Sequence, residues 1–317
     1  MFRLRSQARR QARGRTLLAV GAIALGAVAL TACKPPVLQA ACDGRLVATS
    51  AGPVANASID EASGIAASRL VDDVYWVHND SGNPAEVYAV GANGANLGTD
   101  AVSGANNVDW EDIAVGPGPT PNVPFLYLAD IGDNTKTRAT VDVYRMLEPT
   151  VNPAAPTGGT LTAEKLTFTY PDGAHDAEAF MVDPISGQLY IVTKAPSSAQ
   201  VFRAPVNLPA GSTTVLTQVA TIGFGFLPGL VTGADITPQG DTVALRTYTH
   251  VLMYQRPKDQ PLEAAFSQQV CLGATPGLGT APTQELQGEA IGFTRSGKGY
   301  VTIAEGTNQY LHFFNTP

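Results

Sequence analysis

Apolar and β-branched residues fall in short runs broken by Gly, Pro and Ser, and no stretch past residue 33 shows a convincing amphipathic helical period. Five of these runs open alike: Glu61-Ala62-Ser63-Gly64-Ile65, Asp109-Trp110-Glu111-Asp112-Ile113, Asp176-Ala177-Glu178-Ala179-Phe180, Thr232-Gly233-Ala234-Asp235-Ile236 and Gln287-Gly288-Glu289-Ala290-Ile291. Aligned on the Ile or Phe, the anchors lie 48, 67, 56 and 55 residues apart. Each anchor is followed by further short runs. After Phe180 come a turn at Asp183 to Gly187 and strands at Gln188 to Thr193, Gln200 to Arg203 and Val215 to Ile222. After Ile236, Thr237-Pro238-Gln239-Gly240 turns into Thr242 to Arg246, His250 to Tyr254 and Phe266 to Leu272. After Ile291, Arg295-Ser296-Gly297 turns into Tyr300 to Ala304, and Tyr310 to Phe314 makes a third strand. Corners of this kind end hairpins with a residue at positive φ.

Four-stranded units at this period predict an all-β fold, a β-propeller of five blades, with six as the alternative count. The fifth unit ends one strand short. Arg45 to Ser50, ahead of the first unit, is expected to supply that outer strand and close the ring. The same closure places Cys42 beside Cys271, and the two are expected to form a disulfide at the seam.

The first 32 residues stand apart. Six arginines and no acidic residue precede an apolar run, Leu17 to Leu30, that is short for a membrane span. Leu30-Thr31-Ala32-Cys33 resembles the lipobox of bacterial lipoproteins, which implies cleavage before Cys33 and lipid on that residue. The expected organisation is therefore a leader over 1–32, a lipidated tether over 33–41 and the propeller over 42–317. Losing the leader removes its six arginines and leaves 14 basic against 27 acidic residues, a poor surface for nucleic acid. A monomer held on the bilayer by its acyl anchor, facing the extracytoplasmic side, is the expectation.

Polar residues gather where strand ends meet the channel. Glu61, Asp109, Glu111, Asp176, Glu178, Asp235 and Glu289 recur at the start of the first strands. At the ends of the second strands stand His78-Asn79-Asp80, Asp130, Lys194, Arg246 and Glu305. Converging carboxylates repel, and two solutions are open. A hard cation with oxygen ligands suits this set, Ca2+ above all. Alternatively, Lys194 and Arg246 pair with the acids, or bind an anion.

An acidic, metal-lined mouth on a propeller resembles the calcium-dependent propeller hydrolases: the regucalcin/gluconolactonase type, paraoxonase-like lactonases and β-propeller phytases. It also resembles secreted bacterial propeller lipoproteins. The first resemblance implies hydrolysis of a small ester, lactone or phosphoester, with His78, Asp80 or Asp130 as the acid-base group. The competing reading is a non-catalytic surface module with a structural ion or an ion-pair core, its rim loops contacting a protein partner. A five-bladed glycosidase ranks last, because Trp76 and Trp110 are too few for aromatic sugar platforms. No serine-triad, phosphate-loop or zinc-spacing motif is present.

Overall fold

Strands that are apolar on both faces must be covered on both, and here they are covered by one another around a ring. The computed structural model describes residues 34–317 except 157, 207, 226, 228, 279–283 and 286, so the leader and Cys33 lie outside the described residues. The ring has five antiparallel blades. The first comprises Ala62–Ala67, Val74–Asn79, Glu86–Gly91 and Asn96–Ser103. The second is built from Trp110–Pro117, Pro124–Asp130, Val141–Leu147 and Glu164–Thr169, and the third from Ala177–Val182, Leu189–Thr193, Ser198–Arg203 and Thr217–Gly223. Val231–Ile236, Thr242–Thr247, Val251–Gln255 and Cys271–Gly273 make the fourth. Gly288–Phe293, Gly299–Ala304 and Leu311–Asn315 make the fifth, completed by Val47–Ala51 from the N-terminal side. The five-blade count holds, because the long interval between the second and third anchors contains only the second blade's own strands and the short Thr160–Thr162, which pairs with the first blade.

The core lies between blades. One buried cluster fills each of the five interfaces, including that between the fifth blade and the first. Inner strands pack neighbour against neighbour around the full ring. Gly187, Gly240 and Gly297 close the equivalent hairpins of blades three to five with φ of +72°, +73° and +69°, where a side chain would be strained.

Two expectations are corrected. Residues 36–41, expected as tether, form with Cys42 the helix Pro36–Cys42. Its Val37, Leu38 and Ala41 are buried against the cluster shared by blades four and five. Phe266 to Leu272, expected as one strand, divides into a 3-10 helix, Leu262–Ser267, and the short outer strand Cys271–Gly273. Pro261 starts that helix, and Leu262 and Ala265 bury into the cluster between blades three and four.

These segments belong to one pattern. In blades two to five, the chain leading into the outer strand lies across the outer edge of the blade before it. Thr160–Thr162 pairs in parallel with the first blade's outer strand, and Thr213–Val215 with the second's. The 3-10 helix packs against the third blade's outer strand, and Pro36–Cys42 against the fourth's. There Cys42 and Cys271 are bonded, with Cα atoms 4.8 Å apart and a sequence separation of 229. Closing so long a loop is worth about 5 kcal/mol in the loop-entropy account.

Candidate functional site

Every inner strand carries one β-bulge near its start, so two of its residues face one on the second strand. The extra residues are Ser63, Glu111, Glu178, Thr232 and Glu289. A bulge breaks the two-residue period, and that turns these side chains toward the channel mouth. Just past the last paired position of the second strands come Asp80, Ile131, Lys194, Tyr248 and Glu305. Most of both sets line one cavity of about 200 Å³: Ser63, Glu111, Glu178 and Glu289 with Asp80, Lys194, Tyr248 and Glu305, joined by Asn134 and Gln287. Its lining is wholly polar, with five carboxylates and one cation.

The hydroxyl bulge residues tie blades together. Ser63 Oγ donates to the Glu111 carbonyl at 2.7 Å, and Thr232 Oγ1 to the carbonyls of Gly288 and Glu289 at 3.0 and 3.1 Å. The glutamates reach the cavity instead. Lys194 pairs with Glu178 and donates to Tyr248 Oη at 2.7 Å. Burial drives the Glu178 carboxyl up to about 8, against the pull of Lys194. Glu178 and Tyr248 in turn hold the Lys194 ammonium above its ordinary range, despite its burial. Burial likewise raises Glu289 to about 7, opposed by Gln287, whose Nε2 donates to Glu289 Oε1 at 2.7 Å. Glu111 is pushed well above the carboxylate range by burial and then by Glu178, Asp80 and Asp109.

Asp80 and Glu111 of this lining and the neighbouring Asp109 each place a carboxylate oxygen within 4.8 Å of the others. Ligand oxygens at about 2.3–2.6 Å from one Ca2+ can stand up to about 5 Å apart, so the three suit a shared ion. Among the described residues none of the three has a salt bridge. Burial raises Asp80 and Asp109 as well. A Cβ on Gly132 would collide with Glu111 Oε1 and Asp109 Oδ2, so glycine there leaves room for both carboxylates.

Other expected site residues lie elsewhere. His78 is fully buried; its Nδ1 meets the Asn79 carbonyl at 2.9 Å, and burial lowers its pKa to about 4. It does not line the cavity. Asp130, equally buried, is salt-bridged to Arg138 at 2.8 Å and accepts the Asp109 N–H at 3.2 Å. Asn79 does the same for the Glu61 N–H, because Asn79 and Asp130 hold equivalent register positions. Asp130 is therefore the counterpart of Asn79, not of Asp80.

The fourth blade corrects the alignment again. Its bulge falls at Thr232, so Ala234, not Ile236, is its anchor. Asp235 then lies past the mouth, where it accepts the Phe293 N–H at 2.6 Å and the Ile236 N–H at 2.7 Å. Arg246 sits below the rim and pairs with Glu285. Glu61 accepts from Asn83 at 2.6 Å, and Asp176 from the Asp133 N–H at 3.2 Å, both outside the cavity lining.

Asp112 is not singled out by pattern, yet it occupies the middle of the ring. Its fully buried carboxylate accepts N–H groups from Ile113 at 2.8 Å, Phe180 at 2.8 Å and Ala234 at 3.1 Å, which belong to three blades. Tyr248 also escapes the pattern; it lies two residues beyond Arg246, the residue the pattern favours.

The chain matches no known family and no curated protein. Among solved structures it is similar to one titled as a nidogen/laminin complex. That likeness has 12% identity over 78% of this chain and 73% of the other, with a TM-score of 0.42.

Proposed function

We propose that this chain is a lipid-anchored, extracytoplasmic propeller whose channel mouth binds a hard divalent cation, Ca2+ by ligand chemistry. The observation that carries the cation is the trio Asp80, Asp109 and Glu111, gathered within 4.8 Å and without a salt-bridge partner among the described residues. These three would hold the ion, which when bound supplies Lewis acidity toward an ester, lactone or phosphoester oxygen. Glu289 faces the cavity with a pKa near 7, so its carboxyl can take or give a proton at neutral pH. Gln287 occupies Oε1, which leaves Oε2 to carry that proton. Tyr248 and Glu178 keep Lys194 protonated, placed to orient an anionic group.

Calorimetric titration with Ca2+ tests the site. Binding is expected, and Asp80→Asn is expected to weaken it at least tenfold. A wild-type chain that gives no saturable heat would remove the cation from the proposal. If Ca2+ binds, turnover of small esters, lactones and phosphoesters, abolished by chelator, separates hydrolase from scaffold. The scaffold reading is favoured by one feature: the two residues best suited by type to acid-base work, His78 and Asp130, are buried away from the cavity. The anchor is tested separately, because Cys33→Ser is expected to move the exported chain from the detergent phase to the aqueous phase. Identical partitioning of both would refute lipidation.

A further inference from the structure

Four of the five blades have their outer edge covered by the chain itself. The fifth does not. Its outer strand, Val47–Ala51, would be covered by a segment leading into the first blade's outer strand, but that strand comes directly after the turn at residues 92–95. Val47 to Ser50 are exposed. Among the described residues, no backbone group of 46–51 makes a hydrogen bond outside the pairing with Leu311–Asn315. The strand also lacks the usual protection of an edge: it has no charge, no proline and no bulge. The nearest charges along the chain, Asp43 and Arg45, pair at 2.7 Å, and beside the strand Arg295 pairs with Asp72 at 2.6 Å.

We propose that this edge pairs with the same edge of a second copy, antiparallel about Thr49. The strand is complementary to itself in that register. Alternate residues share a face, so Val47, Thr49 and Ala51 point the same way. Thr49 and Ala51 line a groove of about 550 Å³ at the seam of the fifth and first blades, where Tyr75, Phe313 and Ala67 lie beside Asp72, Asp73 and Arg295. Val47, at the other end of the strand, is 49% exposed. Antiparallel pairing about Thr49 sets the second copy's Val47 opposite Ala51, over this groove, and the two-fold axis repeats the contact. Thr49 faces itself, Ala48 faces Ser50, and no like charges oppose. A five-residue edge is a small interface, so the association depends on concentration and is favoured when both copies share a membrane.

Cysteine cross-linking of the full exported chain at high concentration tests the register. Directly opposed residues stand about 4.5–5.5 Å apart between Cβ atoms, within disulfide reach, whereas residue 47 of one copy is far from residue 47 of the other. Thr49→Cys is expected to give a covalent dimer under mild oxidation, Val47→Cys little or none, and the parent chain none. Adding Val47→Asp to Thr49→Cys is expected to abolish the dimer, since the new carboxylate would be driven toward Asp72 and Asp73 in the groove, whose cation, Arg295, is already paired with Asp72. Both positions are exposed, and unchanged melting temperatures would show that the variants fold. Equal cross-linking at 47 and 49 would indicate random collision and overturn the proposal. So would a Thr49→Cys chain that stays monomeric or links only to a different protein.

Discussion

Asp112→Ala is expected to be the most damaging single substitution in the ring, costing about 3–5 kcal/mol. The side chain is fully buried, and its carboxylate accepts N–H groups from Ile113, Phe180 and Ala234. Alanine leaves three buried donors without an acceptor, and each orphaned group costs about 1–3 kcal/mol before any water fills the gap. Asp112→Asn keeps one accepting oxygen but turns an amide N–H toward backbone N–H groups, so it is expected to lose roughly half as much. Exposed Ile185→Ala, on a turn far from the axis, is expected to change stability by less than about 0.5 kcal/mol. Urea melts of the three variants check this order. An Asp112→Ala chain as stable as the parent would mean that these N–H groups find other acceptors and that the carboxylate does not tie the blades.

The fold is legible because its signals are local. A hairpin glycine at positive φ and a doubly apolar inner strand announce themselves in sequence, and five repeats of them give a ring. The seam is legible too, since a missing outer strand and two cysteines leave one consistent closure. The mouth is legible only in part, because a bulge is not written in the apolar pattern. Alternation treats Asp109 and Glu111 as two steps on one face, whereas the extra residue rotates Glu111 relative to the remainder of its strand. In the fourth blade the bulge lies two residues earlier relative to Ile236, and that shift alone makes Asp235 look like a mouth ligand. His78 and Asp130 are misplaced by alternation for the same reason: register decides which residue leaves the strand, and register is set by pairing across the blade. The edge-covering segments are hidden differently. Pro36–Cys42 and Leu262–Ser267 are too short to be stable as isolated helices, and they persist because the preceding blade buries one side of them.

Removing the cation is expected to reverse the pH dependence of stability. In chelator, Glu178 and Glu289 have folded-state values near 8 and 7, above their ordinary 4.5. A carboxyl whose pKa is raised by folding contributes stability that is fully present below the unfolded value and is lost as pH rises through the folded one. The apo chain should therefore weaken between about pH 5 and pH 8, by on the order of 3 kcal/mol for Glu289 alone. Asp112, raised by burial as well, adds a slope of the same sign in every variant that keeps it, so differences between variants carry the information. With Ca2+ in excess the ion prefers the ionised carboxylates, and stability should hold or rise over the same range. Gln substitutions divide the cluster. Glu111 and Glu289 lack a salt bridge among the described residues, so Glu111→Gln and Glu289→Gln are expected to stabilise the apo chain at pH 8, and Glu111→Gln to weaken Ca2+ binding. Glu178→Gln is expected to destabilise it by about 1–3 kcal/mol, because Lys194 loses its partner in a mostly buried position. Thermal melts at pH 5, 6, 7 and 8, with chelator and with Ca2+, read all of this. If the two conditions give superimposable curves in the wild type, no cation is bound at the mouth, and the carboxylates are held by protons and Lys194 alone.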